Sequence, residues 1–349
     1  ASLKERFDVF ADLTASPDAS TEVLNSILID VHKGNASMQQ LVESGAEYIA
    51  HPDNSIRNKG TQLLVEVLVR LPEMKLNPHQ VKVWCNFFCE RLADTPCIRE
   101  VLRGLNAVLG QHTLPDEEFA RQVMTSMFEM HVPAMVQGDR YASFTAFKSL
   151  IDKYPNAYIP ISSQLVAGFV QMMDGERDPR NLLLCFRLVD TVARLYLDRV
   201  EDEMVEELFD VCSCYYPLRF NPPPNDPHGV TREALQSALQ DALTSHVSFA
   251  RLCIPFIADK AGSGDAEDKI DAMKSLSAAV TAFGSAAVRP LATRVLALVL
   301  AVARQGGPIG QGEAATSLLG VLLKLLGDDA TSVAEAMLKE ASVALESPE

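Results

Sequence analysis

The sequence predicts an all-α chain, a solenoid of antiparallel helix pairs. Apolar residues recur at three- and four-residue spacing along almost every segment, which places them on one face of a 3.6-residue helix. No long run alternates apolar with polar residues, as a half-buried strand does. Turn-forming clusters interrupt the helical stretches at intervals of about 40 to 47 residues, the period of a two-helix repeat.

Within residues 60–71, Leu63, Leu64, Val67, Leu68 and Leu71 form one stripe; within 181–195, Leu183, Leu184, Leu188, Val192 and Leu195 do the same. The breaks are His51-Pro52-Asp53-Asn54, Asp94-Thr95-Pro96, Gln137-Gly138-Asp139, Asp174-Gly175-Glu176 and Gly262-Ser263-Gly264-Asp265. Asp53, Asp94, Asp139 and Asp178 lie 41, 45 and 39 residues apart, and Arg57, Arg99, Arg140 and Arg180 come after them. An aspartate in such a turn is expected to cap the second helix, its carboxylate accepting first-turn N–H groups. A turn aspartate with an arginine entering the second helix resembles the HEAT repeat, and residues 49–68 are its clearest copy.

Residues 1–349 are therefore read as one solenoid of about seven helix pairs. Residues 38–50 pair with 54–71, 79–93 with 98–109, 116–131 with 140–153, and 160–173 with 179–197. Residues 202–216 pair with 231–245 across a proline-rich turn at 217–230, then 249–260 with 265–283 and 286–304 with 313–326. Further helices are expected at 1–34 and 329–346. One pair cannot bury its apolar face alone, so neighbours must stack. The apolar C-terminal half, the uncapped end at Ser347-Pro348-Glu349 and a first residue other than Met give the expectation of a longer protein.

With 48% hydrophobic and 22% charged residues, the composition is globular. A net charge of −15 argues against direct nucleic-acid binding, which wants a basic stripe. The seven cysteines are odd in number and mostly lie in apolar helical stretches, which favours a reducing compartment. The opening Ala-Ser-Leu-Lys-Glu-Arg-Phe lacks the apolar core of a signal peptide. The longest apolar run, residues 295–302, falls short of the roughly 20 residues of a membrane span, so no membrane contact is expected.

Cys85 and Cys89 share a helix face, but their spacing to Cys97 matches no metal pattern. Cys212 and Cys214 are two apart and face away from each other on a helix. All are read as structural thiols. His228 is read as a surface turn residue and Trp84, beside Phe87 and Phe88, as core. Residues 306–314 carry Glu313 where a Walker loop needs lysine, so they are read as an interhelical turn. Asp174, Glu176 and Asp178 are carboxylates without a pocket, and capping accounts for at least one. No cofactor is expected.

The run Phe220-Asn221-Pro222-Pro223-Pro224-Asn225-Asp226-Pro227-His228 fits neither helix nor strand. Its prolines lack N–H groups and hold the chain extended, then bent. It is either a spacer between helices or a segment displayed to a partner.

Two blocks tie the chain to a family. One is residues 168–189, GFVQMMDGERDPRNLLLCFRLV; the other is residues 205–233, VEELFDVCSCYYPLRFNPPPNDPHGVTRE. They resemble the N-terminal region of the MMS-nineteen family, HEAT-repeat nucleotide-excision-repair protein homologues. The matching positions run from Met173 to Leu182, Ser213 to Pro217 and Phe220 to Pro227. The resemblance implies a scaffold of the cytosolic iron–sulfur protein assembly targeting complex, in cytoplasm and nucleus. It implies a WD-propeller and a MIP-type subunit as partners. It also implies apo iron–sulfur clients: DNA helicases, polymerases, primase and the TFIIH helicase subunit. Cys212 departs from the family's serine or threonine, so the chain is not expected to hold the cluster. The residues carried over as a partner-binding or structural motif are Asp174, Glu176, Asp178, Arg180, Asn181, Tyr215 and the 220–228 residues named above. An importin-type transport adaptor, also a solenoid, is the rival reading.

Overall fold

The computed structural model describes residues 1–73, 75–223, 226–263, 265–305, 309–327, 330–332 and 335. Among the described residues the chain is all-α, with sixteen α-helices joined by turns and short 3-10 segments and no strand. It divides into two compact units, Ala1–Pro160 and Ile161–Glu349.

The first unit holds α1 (Leu3–Ala11), α2 (Pro17–His32), α3 (Met38–Ile49), α4 (Asn54–Arg70), α5 (Pro78–Cys89), α6 (Ile98–Gln111), α7 (Glu117–Phe128) and α8 (Gln137–Lys153). Local chemistry sets the starts. Ser2, Ser37 and Asn77 form reciprocal capping boxes with Glu5, Gln40 and Gln80, satisfying two orphan donors each. Pro17 and Pro78 occupy first-turn positions, where a missing N–H costs nothing. α4 packs on α6 and α6 on α8, while α5 packs on α7. Each helix thus meets the next pair's equivalent, the contact pattern of a stacked repeat. Leu63, Leu64, Val101, Leu102, Phe144 and Phe147 of this row are fully buried, each contributing about 1.5–3 kcal/mol.

Two glycines let helices approach closely. A Cβ on Gly60 would stand 2.7 Å from Tyr48 Cβ and 3.0 Å from the Ile49 backbone nitrogen. A Cβ on Gly104 would stand 2.1 Å from the ring of Phe88, which is fully buried.

The turn aspartates split into two roles. Asp53 caps α4, accepting from the N–H groups of Ser55 (2.8 Å) and Ile56 (3.2 Å). Asp94 and Asp139, expected to cap, do not: Asp94 makes no cap hydrogen bond, and α8 begins at Gln137, two residues before Asp139. Both face the arginine of the preceding repeat instead. Arg57 Nε and Nη2 donate to the two carboxylate oxygens of Asp94 at 2.7 and 2.9 Å. Arg57 Nη1 also donates to the His51 carbonyl at 2.8 Å. Arg99 lies 3.9 Å from Asp139. The bidentate Arg57 holds the Asp94 carboxyl below its ordinary range. Burial pushes the Asp139 carboxyl up, and the distant Arg99 offsets this only in part. The spacing of about 40 residues thus reflects a link between repeats as well as a cap.

The second unit holds α9 (Ser162–Met173), α10 (Pro179–Tyr196), α11 (Asp202–Ser213), α12 (Arg232–Leu243), α13 (Ala250–Ser263), α14 (Ala266–Val288), α15 (Ala292–Gln305) and α16 (Ile309–Leu326). Here α10, α12, α14 and α16 form one row and α9, α11, α13 and α15 the other. The boundary expected near residue 284 is a kink: Gly284 sits at φ 77° inside α14, a conformation glycine reaches without strain. Of the expected 306–314 turn, residues 306–308 lie outside the described residues. Ile309 onward is already α16, whose apolar face, with Leu318 and Leu322 buried, extends the helix earlier than the glycines suggest. Most of the helix expected at 329–346 also lies outside the described residues.

The stretch Ala266–Val302 is long and apolar enough, by length and composition, to cross a membrane. Uninterrupted apolar runs do not reveal it, because small and polar residues are interspersed. The stretch is broken by Gly284 and by the 3-10 turn Arg289–Leu291, and it packs against α13 and α16. A core helix of an all-α stack passes the same test.

Candidate functional site

The two sequence blocks meet in the second unit. The first supplies the turn from α9 to α10. Gly175 at φ 69° reverses the chain after Asp174, which is exposed. Glu176 is 3% exposed and organises the start of α10. Its Oε1 accepts from the N–H groups of Arg177 and Asp178, both at 2.9 Å, and its Oε2 from Asn181 Nδ2 at 3.1 Å. Asp178 caps α10 by accepting from Asn181 N–H at 3.1 Å. Pro179 opens the helix and Asn181 is fully buried. Arg180 is half-buried in the same first turn. Glu176 and Asp178 therefore form a turn scaffold.

The second block closes onto it. Tyr215, just after α11, donates its hydroxyl to the Glu176 carbonyl at 2.8 Å. Its ring meets Phe186 of α10 edge-on at 5.6 Å. Burial raises the Tyr215 phenol above its ordinary range, so it stays a donor. The chain then runs through a cis Tyr216–Pro217 peptide to Leu218, which is buried. Arg219 Nη2 donates to Asp268 Oδ1 and Oδ2 of α14 at 2.9 and 2.6 Å. Phe220 is half-buried, whereas Asn221, Pro222, Pro223, Pro227 and His228 are exposed. Pro224 and Asn225 lie outside the described residues.

Asp226 folds the end of the run. Its Oδ1 accepts from His228 N–H at 3.3 Å and its Oδ2 from Val230 N–H at 2.7 Å. The Val230 bond chiefly lowers the Asp226 carboxyl pKa. Gly229 sits at φ 60°, Val230 is buried, and Thr231 caps α12. Leu218 and Val230 anchor the two ends of the run, and Pro222 and Pro223 between them face solvent.

The cysteines form no cluster. Among the described residues no group of three His, Cys, Asp or Glu is placed to hold a metal ion. Cys212 is buried and Cys214 exposed, on opposite sides of the end of α11. Burial pushes the Cys85 and Cys253 thiols up to about 12 and those of Cys89 and Cys97 up to about 11. Trp84 is 5% exposed and stacks on Phe88 at 5.8 Å. Arg177, Pro217, Leu218 and Arg219 lie within the two blocks but are not among the residues that the sequence singled out as a motif. The Arg219–Asp268 pair spans 49 residues, beyond the reach of local pattern.

Fold and module together define a helical-repeat protein of the HEAT-type solenoid class. A family described as Dos2-interacting transcription regulator of RNA-Pol-II matches residues 42–300, a range that contains both blocks. The chain belongs to this family, whose curated relatives carry the name MMS19 nucleotide excision repair protein homolog. The Xenopus laevis homologue is 37% identical over 257 residues, covering 73% of this chain and 25% of the relative. The Homo sapiens homologue is 35% identical over 263 residues, 74% of this chain and 25% of the relative. The Dictyostelium discoideum homologue is 30% identical over 289 residues, 82% of this chain and 26% of the relative. The chain thus spans about a quarter of the length of these relatives.

Proposed function

We propose that the chain is a non-enzymatic scaffold with a role in DNA repair and transcription. It recruits apo iron–sulfur proteins to the cytosolic iron–sulfur protein assembly targeting complex, in cytoplasm and nucleus. The carrying observation is the family match over residues 42–300. The coarser part follows the relatives' name, which refers to nucleotide excision repair, and the family description, which refers to transcription by RNA polymerase II. The finer part rests on the resemblance of the two motif blocks. The cluster is cargo on the client in this reading.

The architecture suits the role physically. A stacked repeat offers a long surface whose rigidity comes from its buried rows, so partners can be held without chemistry by the scaffold. Buried thiols held protonated are poor ligands and poor nucleophiles. The family match favours this reading over an importin-type adaptor. The test is capture of purified apo iron–sulfur DNA helicase, polymerase and the TFIIH helicase subunit on the immobilised chain. Retention of at least one supports the role. If the full-length relative retains them and this chain retains none, client recruitment does not belong to this part.

A further inference from the structure

Four clefts on the described residues are lined by carboxylates: Asp268 and Asp271, Asp190 and Asp241, Asp265 and Glu267, or Asp12 and Glu66. A fifth, of about 320 Å³, has none. In a chain of net charge −15 that exception is informative. Its walls are apolar, with Leu182, Tyr215, Pro217 and Phe220, and its charged groups are Arg177 and Arg219.

The two arginines differ. Arg219 is held by Asp268 at 2.6 Å. The Arg177 guanidinium is exposed and pairs with no carboxylate among the described residues. Its nearest acids in sequence are already engaged. Glu176 accepts from the next two N–H groups and from Asn181, and Asp178 caps α10. The cleft therefore joins a half-buried aromatic and proline surface to an unneutralised cation. Its volume lies at the low end of ligand sites, which suits one or two residues of a peptide. Tyrosine and arginine are also the side chains that most often dominate binding energy at interfaces.

We propose that this cleft docks a short acidic segment of a partner protein. One bulky apolar side chain sits against Tyr215, Pro217 and Phe220. A neighbouring carboxylate pairs with Arg177, a charge-assisted contact of the stronger kind. Display of the proline run to a polyproline-binding domain would place the partner on Pro222 and Pro223 and leave Arg177 unused. The inference goes beyond the scaffold role and does not depend on it.

The test is fluorescence anisotropy of the whole chain with a labelled Gly-Ser-Asp-Phe-Asp-Gly-Ser peptide. Counterparts carry Lys for Asp or Ser for Phe. Saturable binding is expected, weakened about tenfold or more by either peptide change and by Arg177→Glu. Arg177→Lys should recover part of it. Arg187→Glu, an exposed change of equal charge on α10 and away from the cleft, should leave it intact. No saturation by about 1 mM peptide overturns the proposal. So does wild-type affinity in Arg177→Glu, or an equal loss in Arg187→Glu, which would mean that only net charge matters. Because the probe contains no client, this result and client capture can fail separately.

Discussion

Tyr215→Phe removes one oxygen from the junction of the two motif blocks and leaves the ring in place. The lost bond is the 2.8 Å contact from the hydroxyl to the Glu176 carbonyl. An ordinary hydrogen bond contributes about 0.5–1.5 kcal/mol net, and orphaning a buried acceptor raises the cost to about 1–3 kcal/mol. Glu176 is 3% exposed, so the upper half of that range applies unless water enters. Tyr215→Ala also loses the 5.6 Å edge contact with Phe186 and leaves a cavity, for about 3–5 kcal/mol. A domain of this size moves about 2–4 °C per kcal/mol, so Tyr215→Phe should lower the transition of the second unit by roughly 4–12 °C. Thermal unfolding gives the size, and amide exchange gives the place. The N–H groups of Arg177 and Asp178, which donate to Glu176, should exchange faster, while α4 and α6 stay protected. If Tyr215→Phe matches wild type within about 0.5 kcal/mol and those amides exchange unchanged, the blocks are not coupled through this bond.

Other consequences are as direct. Gly104→Ala forces a methyl into the Phe88 ring and should cost about 1–3 kcal/mol by overpacking. Pairing it with Phe88→Leu should return part of that in a double-mutant cycle. Asp94→Asn should cost about 1.5–3 kcal/mol, the value of a hydrogen bond to a charged group. The pH dependence has a definite sign. The Asp94 carboxyl is depressed in the folded chain by Arg57 below its unfolded value of about 3.9. Its contribution is therefore complete above that value and is lost as pH falls through the folded one. In acid titration the stabilities of wild type and Asp94→Asn should converge as the pH falls through that depressed folded value. In thiol labelling, Cys214, the exposed cysteine, should react first, and slowly at neutral pH, because partial desolvation of its thiol and then the Asp174 charge raise its pKa. Mass spectrometry of Cys214→Ser should show that early adduct gone.

The rows of helices were legible in the sequence because each stripe, such as Leu63, Leu64, Val67 and Leu68, has to face a neighbour. Starts marked by Asp53 and Asp178 were legible for the same local reason. Asp94 and Asp139 were not. An aspartate near a helix start looks the same whether it accepts N–H groups from its own helix or an arginine from the previous repeat. Which of these happens depends on stacking about 40 residues away. The 174–181 and 215–228 blocks were visible as unusual composition. Their joining by Tyr215 and Glu176 was not, since nothing local says which carbonyl a tyrosine will reach. The cleft beside Arg177 was invisible for a further reason. It is defined by carboxylates being spent elsewhere, a property of the folded turn.

The proposal at the centre of this account is client recruitment by the chain, and the joined module of the second unit is the proposed place of contact. The most direct test is the equilibrium affinity of the purified chain for one purified apo iron–sulfur DNA helicase. Wild type is compared with Tyr215→Ala and Gly104→Ala. The account predicts saturable binding that Tyr215→Ala weakens about tenfold or more and Gly104→Ala, in the other unit, leaves unchanged. Absent binding, or affinity indifferent to the loss of Tyr215, would contradict it.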